Sequence, residues 1–326
     1  MTSSAWSIAL LASTGLVLFL YAVSRLALSL RHLAGERVKS WLDRFTKSVP
    51  AAILTGTVVT TLLDSSSVVI ILAIALVSAG ALPFRNSLGV VLGANIGTTI
   101  SSQLFAFDLG QYAVVAMLPG LLLLFFSKKR AGRASGRALF CFGLLFFSLF
   151  LIGEAAAPLK DYQGVQAWLL KLENPVRGAG AGALLTLLIQ SSSATLGMVI
   201  KLAAKGLVTL PAGIAVMLGA ELGTCSDTLL ATIGRGRAAL KTGLFHLGFN
   251  AISITLGLLL IQPFTALVLL VAGHADVARQ IAHAHVLFNL AGVLLFAPLV
   301  PLCQRLLDAW LPDQAQPAPA LAVKTA

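Results

Sequence analysis

The segment LLTLLIQSSSATLGMVI, Leu184 to Ile200, is apolar enough to sit in lipid, yet a glutamine and three consecutive serines interrupt it. The same interruption occurs earlier, in VVTTLLDSSSVVIILAI, Val58 to Ile74. Polar side chains and irregular backbone survive at membrane depth only where protein or a water-filled cavity surrounds them. Two matched interruptions therefore point to one device used twice.

The rest of the chain supports a membrane setting. Of 326 residues, 58% are hydrophobic and only 11% charged, with a mean hydropathy of +0.93, far from a soluble domain. The apolar stretches have the length of helices crossing a core of roughly 30 Å, not the ten-residue alternation of a barrel. The expected fold class is an all-α integral membrane protein. A net charge of +11 does not imply nucleic acid, because the basic residues collect in short loops beside apolar segments, as the positive-inside tendency requires. Cys141, Cys225 and Cys303 are scattered in apolar segments and suggest neither a disulfide framework nor a metal site. No nucleophile–base set or nucleotide loop supports an enzyme.

Charge then orders the spans. A first span, Ala5 to Leu30, is followed by a basic amphipathic stretch, Arg31 to Ser48, so the N-terminus is expected outside. The first serine hairpin runs from about 50 to 80, and spans follow at 86–107 and 111–127. KKRAGRASGR, Lys128 to Arg137, has five basic residues and no acid and marks the cytoplasm. A span at 138–156, the loop containing Lys160 and Lys171, and a second hairpin at about 178–206 come next. Spans at 211–233, 242–262 and 281–304 complete the scheme, with Arg235, Arg237 and Lys241 in another cytoplasmic loop. The basic loops share one face only if each serine hairpin re-enters without crossing. The expected units are 1–127, the loop 128–137, an inverted second unit 138–262, a loop and final span 263–304, and a disordered, cytoplasmic tail 305–326 rich in Pro and Ala.

Offset by 126 residues, Gly56–Leu104 and Gly182–Leu230 align without a gap, about a third of positions being identical. Gly56/Gly182, Thr60/Thr186, Ser65–Ser67/Ser191–Ser193, Gly80/Gly206, Leu92–Ala94/Leu218–Ala220 and Gly97–Thr98/Gly223–Thr224 coincide. Copies starting from opposite faces are inverted repeats, the architecture of secondary transporters with a midplane site between broken helices. Serines at a hairpin tip cap the second arm, whose N–H groups and dipole attract an anion. The carbonyl end of the first arm, near Leu63 and Ile189, suits a cation.

At these residues the sequence resembles the type II sodium-dependent phosphate cotransporter family and its short bacterial members. The resemblance rests on LLIQSSSAT (Leu187–Thr195), GANIGTT (Gly93–Thr99), the modified copies LLDSSSVV (Leu62–Val69) and GAELGTC (Gly219–Cys225), and HLGFN (His246–Asn250) and HVLFN (His285–Asn289). It covers roughly Pro50 to Pro298. It implies symport of inorganic phosphate with sodium as co-substrate, no other cofactor, and a multi-pass place in a bacterial inner membrane. Substrate-binding candidates are Ser65, Ser66, Ser67, Gln190, Ser191, Ser192, Ser193, Asn95, Thr98 and Thr224.

Two positions depart from the family pattern: Asp64 stands where the motif has glutamine, and Glu221 where the first copy has Asn95. A carboxylate at membrane depth costs on the order of 3 kcal/mol unless a cation, proton or partner offsets it. Asp64 and Glu221, with Thr99, are therefore the cation-coupling candidates. Lys201, two turns beyond Ser193, is read as an anion contact or an ion-pair partner of these acids, and Lys205 as snorkelling to an aqueous edge. The His/Asn pairs each lie on one helix face and suit hydrogen bonds between helices. Asp227 has no evident partner in sequence; Asp108 and Glu154 fall near span ends. A proton-coupled carrier or one for another anion, and a non-transporting membrane sensor or assembly protein, stay as alternatives.

Overall fold

The computed structural model describes residues 5–107 and 109–312, and among these every regular element is helical. α1 (Ala5–Phe45) is one helix of 41 residues. The amphipathic stretch after Leu30 is thus its continuation and not a separate element, since no proline falls between Arg31 and Phe45. The first serine segment splits into α2 (Val49–Leu63) and α3 (Ser66–Ser78), followed by α4 (Phe84–Ala106), α5 (Ala113–Phe126) and α6 (Arg130–Ala156). The expected basic loop 128–137 is therefore mostly the first two turns of α6.

α7 (Gln163–Leu170) occupies the following connection. The second serine segment splits in the same way, into α8 (Pro175–Ile189) and α9 (Ser192–Ala204). The span expected at 211–233 is broken at Thr224 into α10 (Leu210–Gly223) and the short α11 (Cys225–Leu230). α12 (Arg237–Leu259) begins inside the expected loop 235–241. Where a loop was expected after Gln262 lies α13 (Ile261–Ala272), bent by 113° from α14 (Val277–Phe296). α15 (Val300–Trp310) takes the first residues of the expected tail, fixed to α12 by a 2.6 Å ion pair between Lys241 and Asp308. The rest of that tail, 313–326, and Asp108 lie outside the described residues.

Among the described residues, four helices are long and apolar enough to cross a membrane: Trp6–Leu33, Phe84–Ala106, Arg130–Asp161 and Arg237–Leu259. The bent α13–α14 pair makes up to five. The arms α2, α3, α8 and α9 have 15, 13, 15 and 13 residues. At 1.5 Å per residue they reach about 20–22 Å, short of a core of roughly 30 Å.

Both units are built on the same helix crossing. A Cβ at Gly56 would collide with the Val90 carbonyl, at Gly93 with that of Ile53, and at Gly97 with Thr57 and Thr60. In the second unit Gly182 meets Val216, Gly219 meets Ala179, and Gly223 meets Ala183 and Thr186. Each second-unit contact is the first shifted by 126 positions. α2 on α4 and α8 on α10 thus pack backbone against backbone, as close helix pairs in membranes do through small residues.

The hairpin bases lie toward opposite ends of α6. At the Arg130 end, α1 meets the first hairpin: Thr55 Oγ1 donates to the Phe45 carbonyl at 3.1 Å, and Ser78 Oγ to the Arg235 carbonyl at 2.6 Å. At the Ala156 end, Lys205 closes the second hairpin on Glu154 at 2.7 Å, and Thr209 Oγ1 donates to Glu173 at 2.7 Å. Lys205, expected to reach an aqueous edge, is held in this ion pair.

Gly219→Ala is expected to lower stability by about 1–3 kcal/mol through overpacking, whereas Gly248→Ala, with nothing within 4 Å of its added carbon, is expected to be neutral or slightly stabilising. Thermal unfolding of the two variants in detergent compares them directly.

Candidate functional site

The tips explain why the chain breaks where it does. α2 ends at Asp64 in the left-handed region (φ 51°, ψ 36°), and Ser65 follows extended (φ −159°, ψ 106°). α8 ends at Gln190 (φ 59°, ψ 33°), and Ser191 follows at φ −157°, ψ 112°. These are the two described non-glycine residues with positive φ, a conformation uncommon outside Gly, Asn and Asp. The left-handed residue ends one arm, and the extended serine starts the next as its N-cap. Ser65 Oγ accepts from the Val68 N–H at 3.4 Å, and Ser191 Oγ from that of Ala194 at 3.2 Å. In the second hairpin Thr186 Oγ1 donates to Thr195 Oγ1 at 2.9 Å, nine residues apart, which requires the chain to reverse.

Ser66, Ser192 and Ser193 lie buried in the first turns of α3 and α9. Their neighbourhood is shared between the units. Ser67 reaches Asp227 of α11, which also accepts from Ser226 Oγ at 3.4 Å. α3 packs on α11, and reciprocally α9 packs on α4, where Phe105 abuts Gly197. Asp64 takes a hydrogen bond from Ser101 Oγ of α4.

The remaining expected residues face helix interiors. Asn95 Nδ2 donates to the Val91 carbonyl at 2.9 Å, Thr98 and Thr99 donate to the carbonyls of Asn95 and Ile96, and Thr224 to that of Ala220. Their hydroxyls are thus satisfied within their own helices. Lys201 is buried and directs Nζ to the Phe107 carbonyl at 3.3 Å, at the carbonyl end of α4, where a cation is favoured. The described partners of Asp64 and Glu221 are other groups.

Glu221 has a partner that sequence reasoning missed. Its Oε1 lies 2.8 Å from His285 Nε2, and His285 Nδ1 lies 2.6 Å from Ser102 Oγ. Ser102, His285 and Glu221 are 0%, 1% and 3% exposed. The network assigns the ring proton to Nε2, donated to the carboxylate, with the serine O–H donated to Nδ1. This chain joins α4 of the first unit, α14, and α10 of the second. His246 of α12 makes the corresponding bond: its Nδ1 lies 2.8 Å from Thr228 Oγ1. Thr228 is the position of Ser102 shifted by 126. Asn250 Nδ2 ties the same region to the Glu221 carbonyl at 3.0 Å. The two His/Asn motifs therefore brace the two units at matching places. The available signal was the buried carboxylate itself, which required a partner somewhere.

Comparison with known proteins fits this doubled arrangement. The profile of the Na+/Pi-cotransporter family matches twice in succession, at residues 18–154 and 162–297. The chain belongs to that family. Among relatives, YqeW of Bacillus subtilis, an uncharacterized protein, is 30% identical over 93% of this chain and 98% of its own length. The putative inorganic phosphate export protein YjbB of Escherichia coli is 28% identical over 86% of this chain, which spans about half (52%) of that relative. The sodium-dependent phosphate transport protein 2A of Ovis aries is 33% identical over 89 residues, 26% of this chain and 14% of its own. No solved structure matches.

His285→Ala strands a carboxylate and a hydroxyl in the interior, so its expected cost is about 3–5 kcal/mol; Ser102→Ala, which removes one neutral hydrogen bond, is expected to cost about 1 kcal/mol. A thermal-unfolding comparison in detergent that found the two variants equal would show that Glu221 does not depend on the imidazole.

Proposed function

We propose that this protein is a secondary transporter of inorganic phosphate, coupled to sodium, working by alternating access at a midplane site between two inverted hairpin units. The observation that carries the reading is the matched pair of tips, each with a left-handed residue, an extended serine cap and two further serines opening a helix. Such a tip presents carbonyls on one arm and N–H groups and hydroxyls on the other, which suits a cation and an oxyanion side by side. Hairpin bases toward opposite ends of α6 support the inversion. The family and the phosphate-transport names of its relatives support the cargo. One relative is named for export, which is compatible with a carrier whose net direction follows the combined gradients of its solutes.

In this reading Ser65–Ser67 and Ser191–Ser193 with Gln190 contact phosphate, and Asp64 serves the cation. Asn95, Thr98 and Thr99 contribute from the middle of α4, and Thr224 from the end of α10, where the helix breaks. Lys201 stabilises the end of α4 next to the second hairpin. Glu221 belongs to the bracing network more than to an open ion site. That network favours one second reading, coupling to protons, because Ser102, His285 and Glu221 form a hydrogen-bonded path between the units.

Uptake of radiolabelled phosphate into proteoliposomes separates these readings. A sodium gradient is expected to drive accumulation, and a proton gradient alone is not; the reverse result would establish the second reading. Ser66→Ala and Ser192→Ala are each expected to lower uptake at least tenfold with unchanged expression. Asp64→Asn is expected to raise the sodium concentration for half-maximal uptake several-fold. Full uptake by both serine variants would remove the tips from the transport site.

The inversion has its own test. Cysteines placed at Lys129 and Arg237 are expected to react with an impermeant reagent from one side of the membrane, and a cysteine at Lys160 from the other. Opposite labelling of Lys129 and Arg237 would refute re-entry.

A further inference from the structure

The first two turns of α6 place Arg130, Arg133 and Arg137 at intervals of three and four, on one helix face. That face forms one wall of a cavity of about 530 Å³, and Ser29, His32 and Leu33 of α1 form the other. The three arginines and His32 are exposed, so the cavity opens to the surface. Among the described residues its lining holds no acid. Positive-inside bias accounts for basic residues on this end of the molecule, but not for four groups lining a single cavity.

A second cavity, of about 360 Å³, adjoins it through Leu33. Its walls are successive turns of the same two helices, with Leu26 and Leu30 on α1 and Leu139 and Phe142 on α6. Asp64 and Ser101, at the first hairpin tip, also line it. From Arg130 to Phe142 the distance along α6 is about 18 Å. That is close to one leaflet's half of the hydrocarbon core, about 15 Å, with part of the headgroup region above it.

We propose that the two cavities together hold one anionic phospholipid from the leaflet on the Arg130 side, its phosphate among Arg130, Arg133, Arg137 and His32 and an acyl chain along Leu26, Leu30, Leu139 and Phe142. A guanidinium fork matches phosphate oxygens in pairs, and basic pockets between membrane helices select anionic headgroups. A free phosphate satisfies only the basic cavity; the apolar one beneath it, reached past Leu33, requires a chain. Because Asp64 lines the apolar cavity, the bound lipid also touches the first hairpin. The proposal stands on the membrane setting alone and does not depend on the identity of the cargo.

Native mass spectrometry of the purified protein titrated with phosphatidylglycerol and phosphatidylcholine tests it. One phosphatidylglycerol per chain is expected to be retained at least fivefold more strongly than phosphatidylcholine. The Arg133→Gln/Arg137→Gln double variant is expected to lose that preference, while Arg235→Gln/Arg305→Gln, which removes two exposed basic residues elsewhere, is expected to keep it. Ser135→Phe, which narrows the apolar cavity and leaves the cations in place, is expected to weaken retention of the lipid. Inorganic phosphate or glycerol 3-phosphate, at concentrations up to about a hundredfold above the lipid, is expected not to displace it. Equal retention of both lipids, equal loss in the two arginine pairs, unchanged retention in Ser135→Phe, or displacement by the soluble phosphates would overturn the proposal; correct folding of each variant is checked by its elution and melting profile.

Discussion

A helix broken at membrane depth leaves carbonyls at the end of one arm and N–H groups at the start of the next, and lipid offers them nothing. This constraint organises the molecule. Each break is confined to two residues, one left-handed and one extended, so that Ser65 and Ser191 cap the next arm at once. The glycines of α4 and α10 then bring a helix backbone directly against each first arm. The short arms, the close crossings and the serine caps are three consequences of one need.

The same need explains why the hairpins are not independent domains. The second arm of each hairpin packs on the other unit, α3 on α11 and α9 on α4. α12 and α14 close the arrangement, each with a histidine Nδ1 bonded to a hydroxyl at matching positions, Thr228 and Ser102. Each second arm thus touches both units, α3 packing on α4 as well as α11, and α9 on α10 as well as α4.

Local features were legible in the sequence, and features requiring chain paths were not. The breaks at Asp64 and Gln190 could be located because a serine triplet inside an apolar run has few structural explanations. The gapless offset aligned the two units before any coordinates. Element ends were missed where polarity and helicity diverge: Arg130–Arg137 is basic and contains Gly132 and Gly136 but no proline, so a loop signature coincides with helix. α13 was missed because the expected span ended at Gln262, whereas Pro263 falls in the first turn of a new helix, where Pro is tolerated. The partner of Glu221 is 64 residues away in sequence, and no spacing rule connects it to His285. The sequence stated the problem, a carboxylate in an apolar setting, and only the packing of α14 between α4 and α10 supplied the answer.

The positions where the repeat fails show how the acids are distributed. In the first unit the carboxylate stands at the tip, Asp64, and a hydroxyl, Ser101, stands on the facing helix. In the second unit the tip has an amide, Gln190, and the position of Ser101 is taken by Asp227, turned toward Ser67 of the first hairpin. Glu221 replaces Asn95 and is held by His285. The hairpins are secured differently as a result. Thr186 and Thr195 link the arms of the second, whereas in the first Val69 replaces the second hydroxyl and Thr60 is buried with no hydrogen-bond partner among the described residues. The first tip is instead tied outward, by Asp64 to α4 and by Ser67 to α11. The Ser101 hydrogen bond to Asp64 is thus the tether that holds the first tip to α4. The second hairpin is closed instead across its own arms, by the hydrogen bond between Thr186 and Thr195.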